Sequence, residues 1–287
     1  MPASTFIVYD TNAMEALLDH LVLLYEAQLS ALEAHFDTKT EAGINHSKMT
    51  LSDFFFSLQV EAIQPDIFLE VGAFSATTSL AIKEALPNAH CAAFEANIHN
   101  YNFFRQEYNY EKAGVRYINA AVGEKNGKEN FYIQTSVAGQ TVGRIRANNS
   151  LLTRQQAEVE YEQLKVDMYS IDSFLRSQNF NIKENKISLW IDAEGAAFSV
   201  LKGTRNALKS VQSVLIEVEE KRYWEDQVLA QRVFKYLLKE GFVPVARDFE
   251  APFQYNVLFV RPAVTRVPAY KICRSAYFRS IGGGRES

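Results

Sequence analysis

The chain has 287 residues, 47% of them hydrophobic and 22% charged, which excludes the disordered and collagen-like classes and allows a sizeable core. A net charge of −4 and a pI near 5.8 argue against a nucleic-acid polyanion as the main partner. No run approaches the roughly 20 apolar residues of a membrane span, the opening MPASTFIVYD lacks both a basic region and a long apolar stretch, and there are only two cysteines, so a cytoplasmic location without a membrane partner is expected.

Leu17, Leu21, Leu24, Leu29 and Leu32 recur at near-helical spacing and predict an amphipathic helix over 12–36. A second helix is expected from Ser47 to Glu61, stopped by Pro65. These two make residues 1–63 an N-terminal helical extension, able to cap a pocket or to pair with another subunit as a homo-oligomer. The apolar run 67–71 then ends at Gly72, helical spacing resumes to Leu86, and 90–94 is again extended and ends at Glu95. A helix over 101–108 and an extended run over 115–122 follow. Alternation of this kind predicts α/β architecture, a doubly wound parallel sheet covered on both faces.

Between 123 and 186 the rhythm breaks. Asn126-Gly127 lies between β-like stretches and favours a tight hairpin, while the polar segment 136–164 is expected to be a surface insertion. Strands resume at 187–191 and 211–218, a helix is expected over 224–239 with Gly241 after it, and 242–246 with 255–260 form a closing antiparallel pair. Residues 64–262 are thus the main domain and 263–287 a loose tail. Cys91, in an apolar run, is expected to be a buried hydrophobe.

Ligands of open parallel sheets bind beyond the carboxyl ends of the strands, so the residues there matter most. Gly72 permits a sharp turn and close approach of a ligand. Glu95 can accept hydrogen bonds from both ribose hydroxyls of a nucleoside. Phe74 and Thr77 stand where a dinucleotide fingerprint needs its second and third glycines, so a nicotinamide cofactor is not expected. Asp192 and Glu194, two residues apart at a third strand end, are able to bind a substrate hydroxyl, act as general base, hold a divalent cation, or simply cap the next helix. Glu217, Glu219 and Glu220 are expected to be surface charge. His46, in a loop before the second helix, is a minor candidate for the pocket border.

Four blocks, FLEVGAFSATTS (68–79), AAFEANIHNYNFF (92–104), NAAVGEKNGKENFYI (119–133) and LWIDAEGAAFSVLKGTRNAL (189–208), resemble the FkbM family of S-adenosylmethionine-dependent methyltransferases, over about residues 64–262. The resemblance implies a seven-stranded class I methyltransferase (Rossmann-like) sheet with an antiparallel last strand. It also implies methyl transfer from S-adenosylmethionine to a hydroxyl of a sugar, glycan or natural product. By position, Glu70, Gly72 and the Phe74, Ser75 and Ala76 backbone would hold the amino-acid end of the cofactor. Glu95 would take the ribose, Ala121 and Val122 would border the adenine, and Asp192 and Glu194 would face the methyl group and acceptor. The chain departs from the family at Glu70 (usually Asp), at Phe74-Ser75-Ala76 (usually Asn-x-Gly) and at Ala197 (usually a second Glu). Those departures keep a rival open, a binding or scaffolding module that retains the fold without catalysis. A nucleic-acid methyltransferase, hinted at only by Arg144, Arg146 and Arg154, is a further alternative.

Overall fold

The computed structural model describes residues 11–155 and 158–282; the opening decapeptide and Gly283-Gly284 lie outside the described residues. The chain begins with α1 (Thr11–Ser30), continued by a short 3-10 turn, and α2 (Glu41–Ser57). Thr40 caps α2 by accepting from the Gly43 N–H, so His46 sits inside the helix rather than before it. Past Ser57 the helix widens into a π turn over Leu58–Ile63 and stops at Gln64, with φ 49°, before Pro65.

The alternating part then runs β1 (Ile67–Val71), α3 (Thr77–Ala85), β2 (His90–Phe94), α4 (Ile98–Glu107), α5 (Tyr110–Ala113) and β3 (Val115–Ile118). After an excursion come β4 (Ala121–Val122), β5 (Gly127–Val137), β6 (Gln140–Thr141), β7 (Val159–Tyr169) and α6 (Ile171–Ser177). The chain closes with β8 (Ile187–Ile191), α7 (Ala197–Gly203), β9 (Val211–Glu219), α8 (Ala230–Lys239), β10 (Val243–Arg247), β11 (Gln254–Val260) and α9 (Pro268–Gly282).

Seven strands form one sheet in the order β10-β11-β9-β8-β1-β2-β3, with β11 antiparallel to both neighbours and the rest of the core parallel. Strand period sorts the side chains between two layers. Ile67, Leu69, Ile187 and Leu189 pack with α1, α6, α7 and α8, whereas Phe68, Cys91, Ala93 and Leu215 pack with α2, α3 and α9. Cys91 is buried there as a free thiol, its pKa pushed up to about 12 by desolvation. Among the described residues no helix is long and apolar enough to cross a membrane.

Four local expectations are corrected. The Asn126-Gly127 dipeptide closes no hairpin: β4 and β5 both pair with β7, in a second sheet ordered β4-β7-β5-β6, and Asn126 Oδ1 instead accepts from the Ser170 N–H. The segment 136–164 is therefore partly strand, because β5 and β7 pair over their full length and bury Phe131, Ile133, Val166 and Met168. The helix expected from Trp224 begins only at Ala230, since Trp224 is buried against the site described below. Finally, residues 268–282 are no loose tail: α9 stacks Tyr277 on Phe54 of α2 at 4.7 Å.

Candidate active site

The order of strands reverses between β1 and β8, and the carboxyl ends of β1, β2 and β8 open into a cavity of about 250 Å³. Of the sequence candidates, Gly72, Phe74, Glu95, Ala121, Val122, Asp192 and Glu194 line it, whereas Glu70, Ser75, Ala76 and His46 do not. His46 lies edge-on to Phe36 instead, at 5.4 Å.

Gly72 is required by the fold as well as available to a ligand. Its φ is +75°, and a Cβ there would fall 1.6 Å from the carbonyl oxygen of Asp192. That contact locks the end of β1 against the end of β8. Glu70 is buried two residues before Gly72, and its Oε2 accepts from the N–H and hydroxyl of Ser79 at 2.9 and 2.6 Å, tying the strand to the first turn of α3. Burial pushes its pKa up to about 7 against those hydrogen bonds.

The loop 73–76 carries the departure from the glycine-rich form. Phe74 and Ala76 both hold left-handed backbone, φ 46° and 49°, a region glycine adopts without strain. Neighbours hold it there. The Phe74 N–H donates to Glu95 Oε2 at 2.9 Å, the Ala76 N–H to the Ala73 carbonyl, the Tyr117 hydroxyl to the Phe74 carbonyl, and the Tyr110 hydroxyl to the Ser75 carbonyl at 2.8 Å. The Phe74 ring packs edge-on to Phe104. These backbone groups are committed inside the protein, which separates the loop from a free cradle for an amino-acid group.

Glu95 is 6% exposed, yet lines the cavity. Besides Phe74 it receives the Asn97 N–H at 2.7 Å and the Asn100 amide at 3.3 Å. Desolvation raises its pKa to about 7 despite those donors. Apolar walls of Phe94, Ala121, Val122, Phe131 and Leu151 stand beside it. An acceptor carboxylate next to flat apolar walls suits a ribose and its base, so the residues present fit the nucleoside end of S-adenosylmethionine.

Across the cavity, Glu194 (φ 38°) and Gly195 (φ 80°) make the turn from β8 into α7. A Cβ on Gly195 would meet the Trp224 ring at 2.5 Å, which explains why glycine follows the acidic residue and why 224 does not join a helix. Asp192, Glu194 and Glu217 each bring a carboxylate oxygen within 4.8 Å of the others. The Asp192 carboxyl is held well above the usual carboxylate range by desolvation and by Glu194 and Glu250, and the Glu217 carboxyl likewise by desolvation, Asp192 and Glu194. Glu194 and Glu219 are pushed up to about 7, mainly by desolvation.

Glu217 and Glu219 are therefore not surface charge but 4% and 2% exposed. The signal was present in the sequence: both share one face of the apolar run VLIEVE, and acids inside such a run are buried with it. Ser150 and Asn149 also escaped the sequence reading. They line the cavity from the insertion, and the Ser150 hydroxyl donates to the Glu194 carbonyl at 2.6 Å. No residue-type pattern marks a polar loop as the one that folds back over a pocket. Arg144 pairs with Glu162 and Arg154 stacks over Trp224 at 4.0 Å, so both are committed within the protein rather than lined up for phosphates.

A seven-stranded α/β sheet with a reversal of strand order and an antiparallel β11 defines a class I methyltransferase fold. The chain belongs to the methyltransferase FkbM domain family, whose model matches residues 60–244. No curated protein matches it in a sequence search. Solved structures with a similar fold include a methyltransferase FkbM from Methylobacillus flagellatus, at 11% identity and a TM-score of 0.40, with 68% of this chain and 43% of that one covered. This chain thus spans less than half of that protein. A precorrin-6y C5,15-methyltransferase from Geobacter metallireducens is 12% identical at a TM-score of 0.35, covering 72% and 86%. The magnesium protoporphyrin IX methyltransferase of Synechocystis, solved with S-adenosylmethionine bound, is 9% identical at 0.40, covering 78% and 84%.

Proposed function

We propose that the chain is an S-adenosylmethionine-dependent O-methyltransferase acting on a hydroxyl of a sugar, glycan or natural product. The observation that carries this reading is the placement of Glu95 and the Asp192–Glu194 pair on opposite sides of one cavity. When bound, S-adenosylmethionine supplies a methyl group already activated by sulfonium charge. Glu95 accepts the ribose hydroxyls, Ala121 and Val122 border the base, and exposed Gly72 leaves room beside them. Glu70 acts at one remove, by fixing the start of α3.

Asp192 or Glu194 takes the proton of the acceptor hydroxyl. A base whose pKa lies near the working pH is best suited to that task, and Glu194, held at about 7, meets the condition.

A binding module without catalysis is the second reading. One observation favours it: a cavity of about 250 Å³, with Phe74 in its wall, lies below the roughly 300–1,000 Å³ of most ligand pockets. Calorimetric titration with S-adenosylmethionine and S-adenosylhomocysteine separates the two. Micromolar binding supports the enzyme and opens an acceptor screen beginning with glycans; no heat at millimolar cofactor, with or without an acceptor, leaves the scaffold.

A further inference from the structure

The acids at the ends of β8 and β9 outnumber the cations that face them. Asp192, Glu194, Glu217, Glu219 and Glu250 act on one another, against Lys48, Arg146 and Arg154. Of these cations, Lys48 is paired with Glu250 and Arg154 lies on the Trp224 ring. Buried Glu217 Oε1, Glu194 Oε2 and Glu219 Oε1 have no hydrogen-bond partner. An unsatisfied buried acceptor costs about 1–3 kcal/mol, more when charged, and natural folds keep few of them.

A second observation comes from a neutral residue on another strand. Asn256 stands opposite Glu217 in the antiparallel β9–β11 register, so the two side chains share a face. Its Nδ2 donates to Asp248 and Glu250, which leaves Oδ1 buried with no partner. Three carboxyl groups each bring an oxygen within 4.8 Å of the others, an all-oxygen donor set, and Asn256 Oδ1 is a further unpartnered oxygen on the Glu217 face. Hard divalent cations take such sets; soft thiolate-seeking metals do not.

We propose that Asp192, Glu194 and Glu217 bind one hard divalent cation, Mg²⁺, Mn²⁺ or Ca²⁺, at the β8–β9 floor of the cavity, on the face shared with Asn256 Oδ1. Methyl transfer does not require such an ion, so the site is additional to the proposed activity. A cation there would lower the pKa of an acceptor hydroxyl that touches it, and would make Glu217, which does not line the cavity, a ligand rather than a base.

The test titrates metal-free full-length protein with Mn²⁺, reading free Mn²⁺ by electron paramagnetic resonance. The expected result is one site of Kd below about 1 mM, with Glu217→Gln weakening it at least about tenfold and Glu162→Gln, on the insertion, leaving it unchanged. No saturable site in the wild type, or equal affinity in Glu217→Gln, overturns the proposal and leaves the acids neutralised by protons. Should Glu217→Gln fail to fold, the wild-type thermal midpoint decides: a rise of a few degrees at Mn²⁺ well above Kd is expected, and an unmoved midpoint sinks the site. Calorimetry with S-adenosylhomocysteine on the metal-free protein is independent, so loss of the cofactor reading and loss of the metal site are distinguishable.

Discussion

The two sides of the cavity solve the problem of buried acids in opposite ways. On the β1–β2 side every buried carboxylate has donors: Glu70 takes two from Ser79, and Glu95 takes Phe74, Asn97 and Asn100. On the β8–β9 side, Asp192, Glu194 and Glu217 crowd one another, only Glu219 is met by donors (Gln227 and the Gly195 N–H), and one oxygen each of Glu194, Glu217 and Glu219 is orphaned. The first arrangement is complete without a ligand and presents a fixed acceptor. The second is incomplete, and its raised carboxyl groups hold protons that can exchange near neutral pH. A pocket built from one of each can fix a donor molecule on one side and handle a proton on the other.

The largest effect should come from removing the exchangeable side. Asp192→Asn combined with Glu194→Gln is expected to lower methyl transfer by about 10²–10⁴-fold, the usual worth of a positioned base, with cofactor Kd nearly unchanged. Release of S-adenosylhomocysteine in the presence of acceptor measures it, and near-normal turnover would take the base away from both residues.

The fixed side should show itself in binding. Glu95→Gln keeps the shape but loses charge-assisted acceptance, expected to cost about 1.5–3 kcal/mol, or roughly ten- to a hundredfold in S-adenosylhomocysteine Kd. Glu70→Ala should lower the thermal midpoint while changing Kd less than about threefold, because its partner is Ser79 rather than the cavity. Calorimetry that found Glu70→Ala as damaging to binding as Glu95→Gln would mean that both acids act on the ligand.

Stability against pH sharpens the comparison further. Glu194 and Glu219 have an ordinary value of 4.5 and sit at about 7 in the folded protein. A carboxyl raised in the folded state is protonated in both states below 4.5, where its contribution is full; between 4.5 and 7 only the unfolded chain releases the proton, so stability falls as pH rises. Metal-free protein should therefore lose thermal midpoint from about pH 5 to pH 7.5. Glu217→Gln removes a like charge and should raise the midpoint at pH 8 by a few degrees, for about 1–2 kcal/mol. A midpoint that climbs over the same range would mean that these acids are ionised and paired when folded.

How much of this was legible beforehand follows the same division. Strands β1, β2, β8, β9 and β11 stand within a residue or so of their apolar runs, since a strand buried on both faces announces itself by composition. Gly72, Glu95, Asp192 and Glu194 are placed on the cavity wall by the rule that such folds open at their strand ends. Glu217 and Glu219 read as surface charge by residue type alone, whereas the side-chain period of the apolar run buries them with it. The β5–β7 pairing was missed because both strands alternate polar and apolar residues around a long connection. The α9 helix was missed because Ile272 and Phe278 remain exposed and blur its pattern, while its docking onto Phe54 is a long-range contact. The role of Tyr110 and Tyr117 was equally hidden, since their hydroxyls act on a loop far back in the chain.

Those tyrosines give the smallest and most local prediction. In place of the family's glycine-bearing loop, Phe74 and Ala76 occupy left-handed backbone at a cost of order 1–3 kcal/mol each. The Tyr117 hydroxyl, donating to the Phe74 carbonyl, is one of the contacts that offsets it. Tyr117→Phe keeps the ring stacked on Tyr101 and Tyr110 and deletes only that donor. The expected loss is about 0.5–1.5 kcal/mol of stability, with S-adenosylhomocysteine Kd raised a few-fold, because Phe74 also orients Glu95 through its N–H. Ala76→Gly on that background should recover part of the loss, since glycine needs no support at φ 49°. If Tyr117→Phe binds as the wild type does and Ala76→Gly adds nothing, the loop holds its shape without the tyrosine, and the fixed side of the cavity is fixed by Glu95 alone.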